Sequence, residues 1–241
     1  MKKIVLLWGV LGWTSVSVWG QTSWTFEKPY VWARDKDAIT LEKQGDHFIV
    51  RHTGQRDWCM GGFQRIAVEP GEIFELRCRV KAVSEVGAVA VSTGVVLRDG
   101  AGQEIKWIYG GAQVMTPCDW TELVSRFVLP KNVTTIEPRL TGDRPVTVEV
   151  QRYVAMRAGS VKDRVKSGAQ GQTQIENGRL RFNVDGAAAR LSVTDLRTGR
   201  VWSQEGGDAG WMVTSAEVSG DKRSLTLALL EPETVREFKA V

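Results

Sequence analysis

Histidine and cysteine are scarce in this chain: His47 and His52 are its two histidines, and Cys59, Cys78 and Cys118 its three cysteines, in 241 residues. No Cys-x-x-Cys and no His pair stands at metal-ligand spacing, which excludes a zinc site built from a local motif. Equally absent are a Gly-x-Ser-x-Gly elbow, a Gly-rich phosphate loop and a His-Glu-x-x-His helix. No cluster of Lys and Arg with interleaved aromatics is present. The net charge of +4 drops to +2 once Lys2 and Lys3 are set aside, so nucleic acid is not an expected partner. No segment sustains an apolar pattern at helical spacing, which excludes a helical core.

What is there begins with an export signal. Lys2 and Lys3 form a basic start, Ile4 to Leu11 a short apolar core, and Val18-Trp19-Gly20 a small-residue end. Residues 1–20 read as a secretory signal peptide cleaved before Gln21. The apolar run is too short to span a bilayer comfortably, so the mature chain is expected in a secreted or periplasmic location without membrane contact. Such a compartment permits a Cys59–Cys118 bridge. Cys78 shares a strand face with Phe74, Leu76 and Val80 and reads as a small buried apolar residue.

The remaining sequence has the grammar of antiparallel β structure. Short alternating runs, among them 39–41, 48–52, 63–68, 73–81, 88–97, 104–109, 123–129, 135–140 and 146–155, are separated by turn chemistry such as Glu69-Pro-Gly71, Asp99-Gly-Ala-Gly102 and Thr141-Gly-Asp143. About nine short strands fit a β-sandwich or jelly roll over residues 21–158, with Phe74, Leu76, Cys78, Val80, Ile136 and Leu140 inside. Residues 159–174 hold glycine, serine and charge with almost no large apolar side chain, and read as a linker or exposed loop. From 175 to 241 a second β-rich unit starts, with strands near 179–184, 189–195, 211–218 and 224–230. Four or five strands leave a sheet edge and an apolar face uncovered, so this unit is expected to be the opening of a longer domain.

Sugar binding needs an aromatic platform and a few polar partners. Seven tryptophans follow residue 20, and in a sandwich such a residue is more often core than platform. Trp58 is the leading platform candidate, because a polar turn, Gly54-Gln-Arg-Asp57, precedes it and Gly61-Gly62 follow it. Trp107 and Tyr109 share one strand face with Ile105, company that argues for the core as strongly as for a binding face. Glu137 and Arg139 point opposite to Ile136 and Leu140, which places them on the outer sheet face. Acidic pairs such as Asp99, Glu104, Asp119, Glu122 and Glu137 occur on any sandwich surface, and spacing alone makes none of them a catalytic pair.

Trp58-Cys-Met-Gly-Gly-Phe-Gln, the strand from Ile73 to Lys81 and Asp119-Trp-Thr together resemble the jelly-roll, galactose-binding-like carbohydrate-binding modules of secreted glycoside hydrolases. The resemblance is nearest at Arg56-Asp-Trp58, Gly61 and Gln64, and implies sugar contacts by Arg56, Trp58 and Gln64. With Trp107, Tyr109, Glu137 and Arg139 these form the candidate site. Trp120 matches a position that is usually structural in such modules. Many of them hold a structural calcium, but Gln151-Arg152 stands where acids would be, and an Arg there disfavours a dication while Glu149 keeps the option open. The stretch from Asn177 to Trp202 resembles the β-sandwich that opens before a glycosidase catalytic domain. The resemblances imply a secreted, non-catalytic module that binds an oligosaccharide or polysaccharide, no cofactor, and a catalytic domain in the continuation of the chain. The rival is a structural or protein-contact sandwich, adhesin-like, with no glycan site.

Overall fold

Alternation builds the core. Phe74, Leu76, Cys78 and Val80 lie on one face of a single strand, and all four are fully buried, as are Ile136 and Leu140. A computed structural model describes residues 23–26, 28–62, 64–204 and 210–241. The expected signal peptide, its cleavage point at Gln21 and the first residue of the expected 63–68 strand lie outside the described residues.

Thirteen strands make the first unit: β1 (Ser23–Thr25), β2 (Tyr30–Ala33), β3 (Ile39–Gln44), β4 (His47–His52), β5 (Trp58–Gly61), β6 (Ile66–Ala67), β7 (Glu72–Val83), β8 (Ala90–Arg98), β9 (Glu104–Tyr109), β10 (Gln113–Met115), β11 (Cys118–Val128), β12 (Thr135–Gly142) and β13 (Val146–Ser160). They form two antiparallel sheets packed face to face, a jelly-roll sandwich. One sheet runs β11-β7-β13-β4-β3, with β1 also on β13. The other runs β10-β8-β12-β5-β2, with β6 on β12 and β9 on β8. Phe74, Phe127, Leu97, Ile136, Met60 and Tyr153 fill the space between them.

Seven further strands form the second unit: β14 (Gln172–Glu176), β15 (Leu180–Asp185), β16 (Arg190–Asp195), β17 (Val201–Gln204), β18 (Met212–Val218), β19 (Leu225–Glu231) and β20 (Arg236–Ala240). A four-stranded meander, β14-β15-β16-β17, faces a three-stranded one, β18-β19-β20. Val184, Val213, Leu225 and Leu227 are buried between them. A cavity of about 260 Å³ opens beside this small core, against Leu191, Trp211, Leu229 and Phe238. Val201, Trp202 and Phe238 are exposed.

The segment expected as a linker is packed. Strand β13 runs to Ser160, and a 3₁₀ turn, Val161–Asp163, follows with Ser160 as its cap. Val161 joins Ile73, Val128 and Leu230 in a separate apolar cluster that Val165, Met212 and Val235 complete. Backbone bonds tie the same seam: Val128 N–H donates to Pro232 (2.7 Å) and Lys166 N–H to Thr214 (2.8 Å). Two valines in a polar stretch, Val161 and Val165, are therefore an anchor, because their partners arrive from far along the chain.

The three cysteines are unbridged: Cys59 and Cys78 are buried and Cys118 is half-buried. Cys59 lies on β5 and Cys118 opens β11, strands of different sheets. His52 is 2% exposed. Its Nδ1 meets the Arg144 carbonyl at 2.9 Å, which makes that nitrogen the donor.

Candidate functional site

The outer face of the β8-β12-β5-β2 sheet gathers aromatic and charged side chains. On β12, Ile136 and Leu140 point into the core, so Glu137, Arg139 and Thr141 point outward. On β2, Val31 and Ala33 pack inward while Tyr30 and Trp32 alternate outward and stay exposed. Tyr30 lies opposite Gly61 of β5, where a Cβ would come within 2.6 Å of the phenol ring; glycine there lets the ring lie on the sheet. On β8, Arg98 faces outward beside Glu104 of β9 (3.9 Å) and Glu137 (3.8 Å).

Strand β9 reaches this face through a bulge. Leu97 pairs with Lys106 but Val95 pairs with Tyr109, which gives β9 one extra residue there, and Arg98 pairs with Glu104, which gives it a second between Glu104 and Lys106. Tyr109 lies on the inner side and Trp107 and Ile108 turn outward. Ile108 then covers Gly94, whose Cβ would meet its Cγ2 at 2.7 Å. The Trp107 ring sits over the Arg139 guanidinium at 4.0 Å and 6.3 Å from the ring of Trp32. Strands β9 and β2 are four steps apart across the sheet, about 19 Å if it were flat. Rings from strands at opposite edges thus meet at 6.3 Å across the middle of this face.

A polar centre lies beneath these rings. Glu137 Oε1 accepts the Tyr30 hydroxyl at 2.9 Å, and Glu137 Oε2 is 3.3 Å from Arg139 Nη2. Burial, reinforced by the Glu137 carboxylate, pushes the Tyr30 phenol up to about 12, so it stays a donor at neutral pH. Glu137 and Arg139 are 9% and 6% exposed, more enclosed than an open outer face implies, because Trp107 and Tyr30 lie over them. Cys59 stands opposite Thr141 and Trp32 on the same face, and burial raises its thiol pKa.

Of the sequence candidates, Trp107, Glu137 and Arg139 come together here. Trp58 does not: it is 1% exposed and lies inside the sandwich. The polar turn before it suggested a rim, but β5 is an interior strand between β12 and β2. Gly142 opposite leaves room for the indole; a Cβ there would be 2.8 Å from Trp58 Nε1. Tyr109 is also core, its hydroxyl donating to the Val128 carbonyl at 2.9 Å. Burial raises its phenol pKa. Arg56 is held on the exposed turn by Asp35, 2.5 Å from its Nε. Gln64 is exposed in the β5–β6 connection. Tyr30, Trp32 and Arg98 were not singled out from sequence. Tyr30-Val-Trp-Ala33 does alternate, and read as a strand it would have placed both aromatics outward. Among the described residues no group of three or more His, Cys, Asp or Glu is placed to hold a metal ion.

No family model matches the chain, and no curated protein sequence does. Solved structures to which it is similar include carbohydrate-binding modules with jelly-roll sandwiches, some of them parts of glycoside hydrolases. One is the CBM22-1–GH10 region of the N-terminal endo-1,4-β-D-xylanase 10B of Clostridium thermocellum, complexed with xylohexaose (17% identity, TM-score 0.43, 56% of this chain and 27% of that one). Another is the C-terminal family 22 carbohydrate-binding module of the same organism's xylanase (13%, TM-score 0.43, 57% and 94%). A third is the CBM22-1 xylan-binding domain from Paenibacillus barcinonensis (16%, TM-score 0.38, 58% and 88%). This chain spans about a quarter of the first of these, and at such identities the likeness is one of sandwich architecture.

Proposed function

We propose that the first unit is a non-catalytic carbohydrate-binding module whose glycan lies on the outer face of the β8-β12-β5-β2 sheet. One observation carries this: Trp32 and Trp107, each partly exposed, stand with a buried Glu137–Arg139 pair on one sheet face. Aromatic rings accept the apolar C–H faces of pyranoses, and a carboxylate and a guanidinium serve the hydroxyls. Arg98 and the Tyr30 hydroxyl extend that polar row.

Export and attachment to a glycoside hydrolase belong to the same reading. Their support is the Met1–Gly20 pattern and the Asn177–Trp202 stretch. Holding an enzyme on its polymer raises the local substrate concentration. The test is calorimetric titration of the chain with a panel of soluble oligosaccharides. Trp107→Ala should weaken binding by about 1–3 kcal/mol, tenfold or more for most of that range, with little change in melting. A folded chain that ignores every glycan would instead support the structural sandwich, with the Tyr30–Glu137 bond and the Arg139–Trp107 stack as internal fastening.

A further inference from the structure

We infer that the glycan bound on this face carries a carboxylate: a uronic-acid residue lies beside Arg98 and Arg139, with its acid directed at the two guanidinium groups. This rests on the glycan reading above and names the class of sugar. The ground is a charge imbalance. Three charged side chains are largely enclosed on the face, Arg98, Glu137 and Arg139, with 16, 11 and 8% of their side chains exposed. Two are cations and one is an anion.

The single carboxylate is already divided. Its Oε1 takes the Tyr30 hydroxyl. Its Oε2 faces Arg139 at 3.3 Å and Arg98 at 3.8 Å. Both separations exceed the roughly 2.7–2.9 Å of a charge-assisted hydrogen bond. Glu104 is the other acid at hand, 3.9 Å from Arg98, but it is 38% exposed on the edge strand, where solvent screens it. Arg98 Nη1 donates to the Gly102 carbonyl at 3.3 Å, but the Nε atoms of Arg98 and Arg139 are buried and have no acceptor. Enclosed guanidinium donors without acceptors are costly, and a planar fork is the natural receiver of a carboxylate.

A neutral sugar would supply hydroxyls to these donors and leave the charge imbalance in place. A uronate supplies both. Its carboxylate projects from the rim of the ring, so the C–H face can still lie against Trp107 or Trp32 while the acid reaches inward. The aromatic rings and the two arginines then serve different parts of one residue.

Matched polymers test this. Polygalacturonate and glucuronoxylan are each compared with their carboxyl-reduced forms, by affinity electrophoresis and titration on the full chain. At least one acidic form should bind about tenfold tighter than its reduced partner, and added salt should narrow the gap. Arg98→Gln should bring the ratio of the two affinities toward one. Arg139→Gln strips the stack on Trp107 and can loosen the face, so Arg139→Lys, which keeps the charge and loses the fork, is the second variant and should also lower the ratio. Equal binding of acidic and reduced forms overturns the inference and leaves the glycan reading intact. Binding of sulfated polymers alone overturns it too. A ratio unchanged in Arg98→Gln and Arg139→Lys assigns the preference to diffuse charge and overturns it. No binding to any glycan by a folded chain removes both readings.

Discussion

Trp58→Ala should behave as a core deletion. The ring is 1% exposed, lies against Gly142, and has its centroid 6.1 Å from that of His52. A buried tryptophan removes about 150–250 Å² from water, worth roughly 4–6 kcal/mol at about 25 cal/mol per Å², an upper bound because unfolded chains already bury some surface. Measured truncations of such residues cost about 3–5 kcal/mol. Nε1 has no hydrogen-bond partner, so the loss is packing and cavity alone. For a chain of this size each kcal/mol moves Tm by about 2–4 °C, giving a fall of roughly 6–20 °C. Thermal melts followed by circular dichroism measure it, with Trp107→Ala as control. That ring is 37% exposed, so its loss should shift melting far less. A Trp58→Ala chain that melts within about 2 °C of the parent would refute the placement of this ring in the core.

Three further outcomes follow from other contacts. Leu230→Ala should destabilise the chain by about 2–5 kcal/mol, because Leu230 is fully buried in the seam with Ile73, Val128 and Val161; denaturant melts check it. Burial pushes the Glu75 carboxyl up, but hydrogen bonds from Arg126 and Arg77 outweigh that and hold its pKa below the usual range. The stability this contributes is complete above about pH 4.3, the unfolded value, and is lost as pH falls through the lower folded value, so Glu75→Gln should flatten the acid limb of a stability–pH curve. Reductant should leave Tm unchanged, and a thiol assay on denatured chain should find all three cysteines reactive.

The sandwich was legible wherever strands keep strict alternation. Phe74 to Val80 lies in a strand interior, and all its inward residues are buried. Strand β12 is likewise regular, so Glu137 and Arg139 could be set opposite Ile136 and Leu140. Legibility failed where the period breaks or where partners are remote. The bulge in β9 separates Trp107 from Tyr109, which an unbroken strand would keep on one face. Trp58 was misplaced because local polarity marks a turn but does not say whether the following strand is at an edge. Tyr30 and Trp32 were passed over because β2 is four residues long and is ordered by its pairing with β5. Val161 could not be seen as an anchor without Leu230.

The extra residue between Lys106 and Tyr109 also sets how this face tolerates changes in chain length. Without Ile108 the ladder beside Val96 would close, Trp107 would still point outward and Tyr109 inward, but Gly94 would lose its roof. A one-residue deletion in an edge strand would thus lengthen the floor between the two tryptophans while leaving both aromatic positions in place. Gain or loss of a single codon, rather than substitution of the ring itself, is the shorter route by which such a face could be fitted to a wider or narrower chain.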